Sequence, residues 1–206
     1  MAMMKNILTI LLSSVIALFL VGCGNHNLDL SDQEMKNTYY TKVNMWYQDK
    51  STRSEASSNA LSQEEEVYSK YTIASTNYKL GTLLPINSKI KVTYLDRNKI
   101  YFEYNNQTVA LVRTKHSKHV SLENIFKRTF STQKISLTNY SAAKKQNILN
   151  GEIKLGMLKN ELVLSRGYPP EHRTRSLDSD TWFYWKNNHN KIKLSFQGNT
   201  LISIKD

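Results

Sequence analysis

Residues 153–204 read IKLGMLKNELVLSRGYPPEHRTRSLDSDTWFYWKNNHNKIKLSFQGNTLISI, and this stretch decides the fold class. Leu158, Leu162 and Val163 share one helical face within residues 158–166. Gly167 stands where a helix ends with positive φ, and Pro169-Pro170 prevents its continuation. A valine at position 167 is then expected to cost ~1–2 kcal/mol through backbone strain. Asp180-Thr181 leads into an aromatic strand, Trp182-Phe183-Tyr184-Trp185. Residues 187–190 turn, and Ile192, Leu194 and Phe196 alternate on the next strand. Gln197-Gly198-Asn199 turns tightly into a last strand over 201–204. Period-two geometry sends Trp182 and Tyr184 to the core face and Phe183 and Trp185 to the other. Phe183 and Trp185 are therefore the candidate partner-binding residues, since exposed aromatics anchor interfaces.

Upstream, residues 65–131 read as a second small α+β unit. Ile90, Val92 and Tyr94 alternate on one strand, and Asp96-Arg97-Asn98 turns into a strand carrying Ile100, Phe102 and Tyr104. Asn105-Asn106 turns into a third strand over 108–113, which completes an antiparallel meander. Ser121 caps a helix from Leu122, whose stripe is Leu122, Ile125, Phe126 and Phe130. The connection before it holds Lys115, His116, Lys118 and His119. Two histidines with no third ligand close by predict a solvated basic loop rather than a metal site. Residues 132–150, polar and carrying Lys144-Lys145, read as a linker to the C-terminal unit or as an extra strand of the 65–131 unit.

Between the N-terminus and that unit, residues 23–64 read as a tether followed by a helix. Met35, Tyr39, Val43, Trp46 and Tyr47 recur at three- and four-residue steps, which predicts an amphipathic helix over 33–47. That helix would either pack on its own domain or dock on a membrane or partner. The Ser-rich stretch 48–63 reads as a loop, and a further helix is expected over 64–71.

Residues 1–22 have the profile of a signal peptide. Lys5 precedes an apolar run over 7–22 that ends in Leu20-Val21-Gly22-Cys23, and Cys23 is the only cysteine among 206 residues. As a helix that run spans about 24 Å, short of the ~30 Å hydrocarbon core. The lone cysteine excludes an intrachain disulfide framework. The net charge of +11 indicates an anionic partner, and export of the chain excludes nucleic acid as that partner.

Two resemblances follow from these residues. The Leu20–Cys23 run resembles a bacterial lipobox, which implies lipidation of Cys23 by diacylglyceryl and palmitate-type chains. Gly24 in place of Asp resembles the outer-membrane default, with inner-membrane and cell-surface anchoring as the alternatives. Residues 151–206 resemble the SmpA/OmlA (BamE-like) family through Ile153, Gly156, Met157, Glu161, Leu162, Gly167, Pro169, Trp182, Tyr184, Phe196, Gly198 and Leu201. Leu158 replaces the family's usual Thr or Ser, and the last turn is one residue looser. The resemblance implies helices packed on a three-stranded antiparallel sheet. It also implies a lipoprotein of the outer membrane, facing the periplasm, that binds other proteins, with some members contacting anionic lipid. It implies no catalytic residue, cofactor or metal.

The expectation is therefore an α+β lipoprotein, not an enzyme, that binds envelope or outer-membrane proteins. Its setting would be outer-membrane protein assembly or envelope integrity. The alternatives are a lipid-anchored inhibitor or ligand-binding accessory, and an anionic-lipid module using Lys115, Lys118, Lys144 and Lys145. Glu171-His172-Arg173 with Asp178 and Asp180 holds an acid, a base and a cation, but the run follows Pro169-Pro170 and reads as an exposed loop. There is no nucleophile elbow, glycine-rich phosphate loop or HExxH motif.

Overall fold

A computed structural model describes residues 28–50, 69–187 and 189–206, and shows an α+β protein with two sheets. The first sheet holds β1 (Tyr39–Thr41), β2 (Met45–Asp49), β3 (Tyr71–Ala74), β4 (Thr82–Leu84), β5 (Lys89–Asp96), β6 (Lys99–Tyr104), β7 (Gln107–Val112) and β8 (Phe130–Ser131). Its spatial order is β4-β2-β3-β7-β6-β5-β1-β8. The pairing of β3 with β7 is parallel, and the other pairings in this sheet are antiparallel.

Chain connectivity forces this sheet to curl. In a flat sheet β1 and β2 would stand about 24 Å apart, at ~4.8 Å per strand spacing. Yet only residues 42–44 join them, a reach of about 13 Å at full extension. A second short connection, residues 85–88, runs from edge strand β4 to β5. The two connections bind each other where they meet. The Thr41 hydroxyl donates to the Pro85 carbonyl (2.6 Å), and the Asn87 N–H donates to the Thr41 carbonyl (2.8 Å). Inside the curl pack Ile73, Leu84, Ile90, Ile100, Phe102, Val109 and Leu111.

Helix α1 (Asp32–Lys36) precedes the first strand. Its capping box closes with the Glu34 N–H donating to Ser31 Oγ and the Ser31 N–H donating to Glu34. Helix α2 (Leu122–Thr129) begins at Ser121, whose hydroxyl accepts the Asn124 N–H at 3.1 Å. It buries Leu122, Ile125 and Phe126 in the same core, while Phe130, read from sequence as helical, begins β8 and pairs with Thr41.

The helix predicted over 33–47 does not form beyond Lys36. Residues 39–41 and 45–49 are strands β1 and β2, each second from one end of the sheet order. Tyr39, Thr41, Val43 and Met45 are buried in a period-two stripe, which competed with the helical spacing of Tyr39, Val43 and Trp46. Aromatic and β-branched residues suit a pleated surface, and tertiary pairing settled the competition. The helix expected over 64–71 falls mostly outside the described residues, and Tyr71 opens β3.

The second sheet is antiparallel, β9 (Thr181–Trp185), β10 (Lys191–Gln197) and β11 (Thr200–Lys205), with β10 central. Helix α3 (Ala142–Leu149) lies in the stretch read as linker or strand, and it packs on α4 (Lys159–Arg166). Its one buried apolar residue, Ile148, gave the sequence little periodicity to show. Ile148 and Leu162 join Trp182, Tyr184, Leu194, Phe196 and Leu201 in a second core. The N-cap of α4 is Leu158, which has no capping hydroxyl, and the Leu158 N–H instead donates to Glu161 (3.0 Å). Glu161, 1% exposed, also receives the Lys144 ammonium at 2.7 Å, which ties α3 to α4.

The two cores belong to one body. Val163 packs against both clusters, and Ile86, from the connection after β4, lies in the second. Asn44, with no exposed surface, donates to the Ile148 carbonyl (2.5 Å) and the Ser165 carbonyl (3.1 Å), and accepts the Ile86 N–H (2.7 Å). Asn77 donates to the carbonyls of Asn44 (2.9 Å) and Arg166 (2.7 Å). Arg166, 2% exposed, lies with its guanidinium 5.1 Å from the Trp46 ring centroid and 5.8 Å from that of Tyr184. This stacking places the charge on two electron-rich ring faces.

Candidate binding site

Helix α4 and the segment after it line a concave groove of ≈680 Å³. Leu158, Val163, Leu164 and Tyr168 supply the helix side, and Ile135, Tyr140, Leu177 and Trp182 supply the rest of the apolar wall. The Gly167 turn and Pro169-Pro170 carry the chain away from α4, so residues 171–180 return along its flank. Leu177 is 43% exposed on this wall. Lys159 spans the rim, donating to the Asp178 carbonyl (3.1 Å) and lying 5.2 Å from the Phe196 ring centroid. Apolar walls edged by Lys159, Asn160, Asp178 and Asn199 suit capture of a ligand or of partner side chains by burial, with polar groups at hand to orient it.

The sequence-predicted residues fall as follows. Cys23 lies outside the described residues. Phe183 is half-buried, with the Lys191 ammonium 5.3 Å from its ring centroid. Trp185 is also half-buried. Tyr78 meets it edge-on at 6.1 Å, His172 stacks on it at 6.1 Å, and the Arg173 guanidinium lies 5.8 Å away. Trp185 thus packs where β9 meets the loop between β3 and β4.

Lys115 and Lys118 are exposed at a short 3-10 turn, residues Lys115–Ser117, and Lys145 is exposed on α3. Lys144 is committed to the buried Glu161 carboxylate. Among the described residues no group of three or more His, Cys, Asp or Glu is placed to hold a metal ion.

Sequence reading did not anticipate the partnership of His116 and His172. Their rings stack at 4.6 Å and 28°, joining the basic connection before α2 to the loop after Pro170. Both His172 ring nitrogens are enclosed without a hydrogen-bond partner. Burial lowers the His172 pKa first, and His116 and Arg173 lower it further against the opposing pull of Glu171. Glu171 is ion-paired with Arg128.

A depressed histidine pKa makes the unfolded chain the better proton acceptor. Stability from His172 is therefore full above the ordinary value of 6.5 and is lost as pH falls from there through the folded pKa. Urea midpoints measured between pH 8 and pH 5 are expected to fall in that window, with a flatter profile in His172→Phe. An unchanged profile in the variant would place the acid sensitivity elsewhere. No signal in one sequence could have paired residues so far apart in the chain.

No family model matches this chain, and neither a curated protein nor a solved structure shows significant similarity to it.

Proposed function

We propose that this chain is a lipid-anchored cell-envelope protein that acts by binding other proteins and is held at the membrane through acylated Cys23. The observation that carries the reading is the apolar run 7–22, which ends at the only cysteine and is followed by a polar stretch. Two or three acyl chains, at ~0.8 kcal/mol per buried methylene, would hold the body stably at a bilayer. Gly24 favours the outer membrane facing the periplasm.

The resemblance to the SmpA/OmlA (BamE-like) family suggests outer-membrane protein assembly or envelope integrity as the setting. It is supported by the packing of α3 and α4 with a three-stranded antiparallel sheet. Trp182, Tyr184, Phe196 and Leu201, all motif positions, are buried in that unit's core. Gly167 ends α4 with φ of +75°. The reading assigns no catalytic residue or cofactor.

A second reading, a ligand-binding accessory protein, is favoured by the groove beside α4, whose ≈680 Å³ lies within the range of small-molecule sites. Cys23→Ser is expected to abolish incorporation of an alkyne-tagged palmitate and to move the protein from the membrane to the soluble fraction. Retention with membranes despite loss of the label would refute the anchor.

A further inference from the structure

The far edge of β11 is the part of the sheet that the reading above leaves without a task. β11 ends the sheet order, with β10 on its only paired side. On the other side the chain covers just its beginning. Leu158 bridges Thr200, the Gly156 N–H donates to the Leu201 carbonyl (2.8 Å), and the Leu201 N–H donates to the Met157 carbonyl (2.8 Å). Past Leu201, no strand of the described residues lies beyond this edge. An open edge offers main-chain donors and acceptors to an incoming strand.

The side chains there are unusual for water-facing positions. Leu155 is 63% exposed, Ile202 53% and Ile204 38%. Beside them is a row of uncompensated charge. Lys193 is the register partner of Lys205, and Lys191 stands two residues along the same face of β10. Like charges directly opposite one another destabilise a sheet. None of the three lysines has an ion-pair partner among the described residues, and Lys191 rests only over the Phe183 ring.

We infer that this edge takes up an acidic, extended segment of a partner protein as a fourth strand. Main-chain hydrogen bonds would form along residues 202–205. Aliphatic side chains of the incoming strand would cover Leu155, Ile202 and Ile204, and its carboxylates would meet Lys193 and Lys205. The inference rests on the protein-binding reading and names the chemistry of the partner. A second copy of this chain is disfavoured as occupant, because pairing two β11 edges would bring two rows of lysines together.

The test uses the full-length acylated chain in detergent micelles and an alternating Glu-Val octapeptide, with binding read by fluorescence anisotropy and by amide hydrogen exchange. The peptide is expected to bind and to slow exchange at residues 202–205. Binding is expected to weaken about tenfold in Lys193→Glu/Lys205→Glu at an unchanged melting temperature, with Lys193→Gln/Lys205→Gln as the milder variant should the first fail to fold. A version N-methylated at alternate residues, which keeps the charge and loses the strand donors, is expected to bind about tenfold more weakly. Equal binding of the N-methylated or an alternating Lys-Val peptide would overturn the proposal, as would unaltered exchange at residues 202–205. Lysine-dependent binding of phosphatidylglycerol vesicles without peptide binding would assign the face to lipid, and lysine-dependent self-association would assign it to a second copy. The intact mass of the same wild-type preparation, extracted from its native membranes, separates the two readings. Peptide binding without acylation leaves the edge standing and fails the anchor, whereas acylation without peptide binding fails the edge alone.

Discussion

Asn44→Ala is expected to lower the unfolding free energy by about 4 kcal/mol and to loosen both sheets together. The Asn44 side chain donates to Ile148 and Ser165 and accepts from Ile86, so one fully buried amide joins α3, α4 and the connection after β4. Alanine fills none of these roles. A buried polar group left unsatisfied costs ~1–3 kcal/mol, and the Ile86 N–H and the Ser165 carbonyl both lose this partner. Urea unfolding followed by tryptophan fluorescence and by circular dichroism measures the change. Trp46 reports from the first sheet, and Trp182 and Trp185 from the second. The two signals are expected to move together to a lower midpoint. A loss under about 1 kcal/mol, or separation into two transitions in the wild type, would show that the halves are joined some other way.

Gly167→Val is expected to cost about as much, for a reason the sequence only half discloses. A glycine after a helix followed by two prolines foretold positive φ, and the residue has φ of +75° with ψ of −176°. A β-branched residue is strained there by ~1–3 kcal/mol. The crowding was not foreseeable. A Cβ at 167 would lie 2.5 Å from Asn77 Nδ2, the atom that donates to the Asn44 and Arg166 carbonyls. Displacing that amide adds ~1–3 kcal/mol of overpacking and lost bonding, for a total of about 4 kcal/mol. Gly198→Ala is the matched control, since φ there is +58° but a Cβ would meet nothing within 4 Å. It is expected to cost ~1 kcal/mol. Equal losses at the two glycines in thermal melts would remove the Asn77 contact from the account.

The parts of the fold that sequence foretold are those written in local pattern. The alternation of Ile90 with Val92 and of Ile192 with Leu194 and Phe196 became strands β5 and β10 with those residues buried. Ser121 became the cap of α2, and Trp182 and Tyr184 turned inward as period two requires. What was illegible depends on partners distant in the chain. Residues 39–49 became strands because β5, β8, β3 and β4 lay ready to pair with them, overriding a spacing that also suits a helix. Arg166, the last residue of α4, is buried because Trp46 and Tyr184 provide ring faces for its charge. Burial pushes its pKa down to about 10, which leaves it charged at neutral pH.

The candidate site divides in the same way. Trp185 was assigned to the outer face by alternation, and its strand and face follow from that pattern. Its partial cover by Tyr78 and His172 comes from segments that no local rule connects to it. Lys115, Lys118, Lys144 and Lys145 are equal as charges in the sequence, yet Lys144 alone is tied to a buried carboxylate. The uncompensated lysines of the second sheet, Lys191, Lys193 and Lys205, were unremarkable until the register of β10 and β11 set Lys193 against Lys205.

Membrane attachment through Cys23 is tested most directly by the intact mass of the protein extracted from isolated membranes of its native cell. The account predicts a chain that begins at Cys23 and carries the added mass of a diacylglyceryl group. Recovery of a chain that still begins at Met1, or of one that begins at Cys23 with a free thiol, would contradict it.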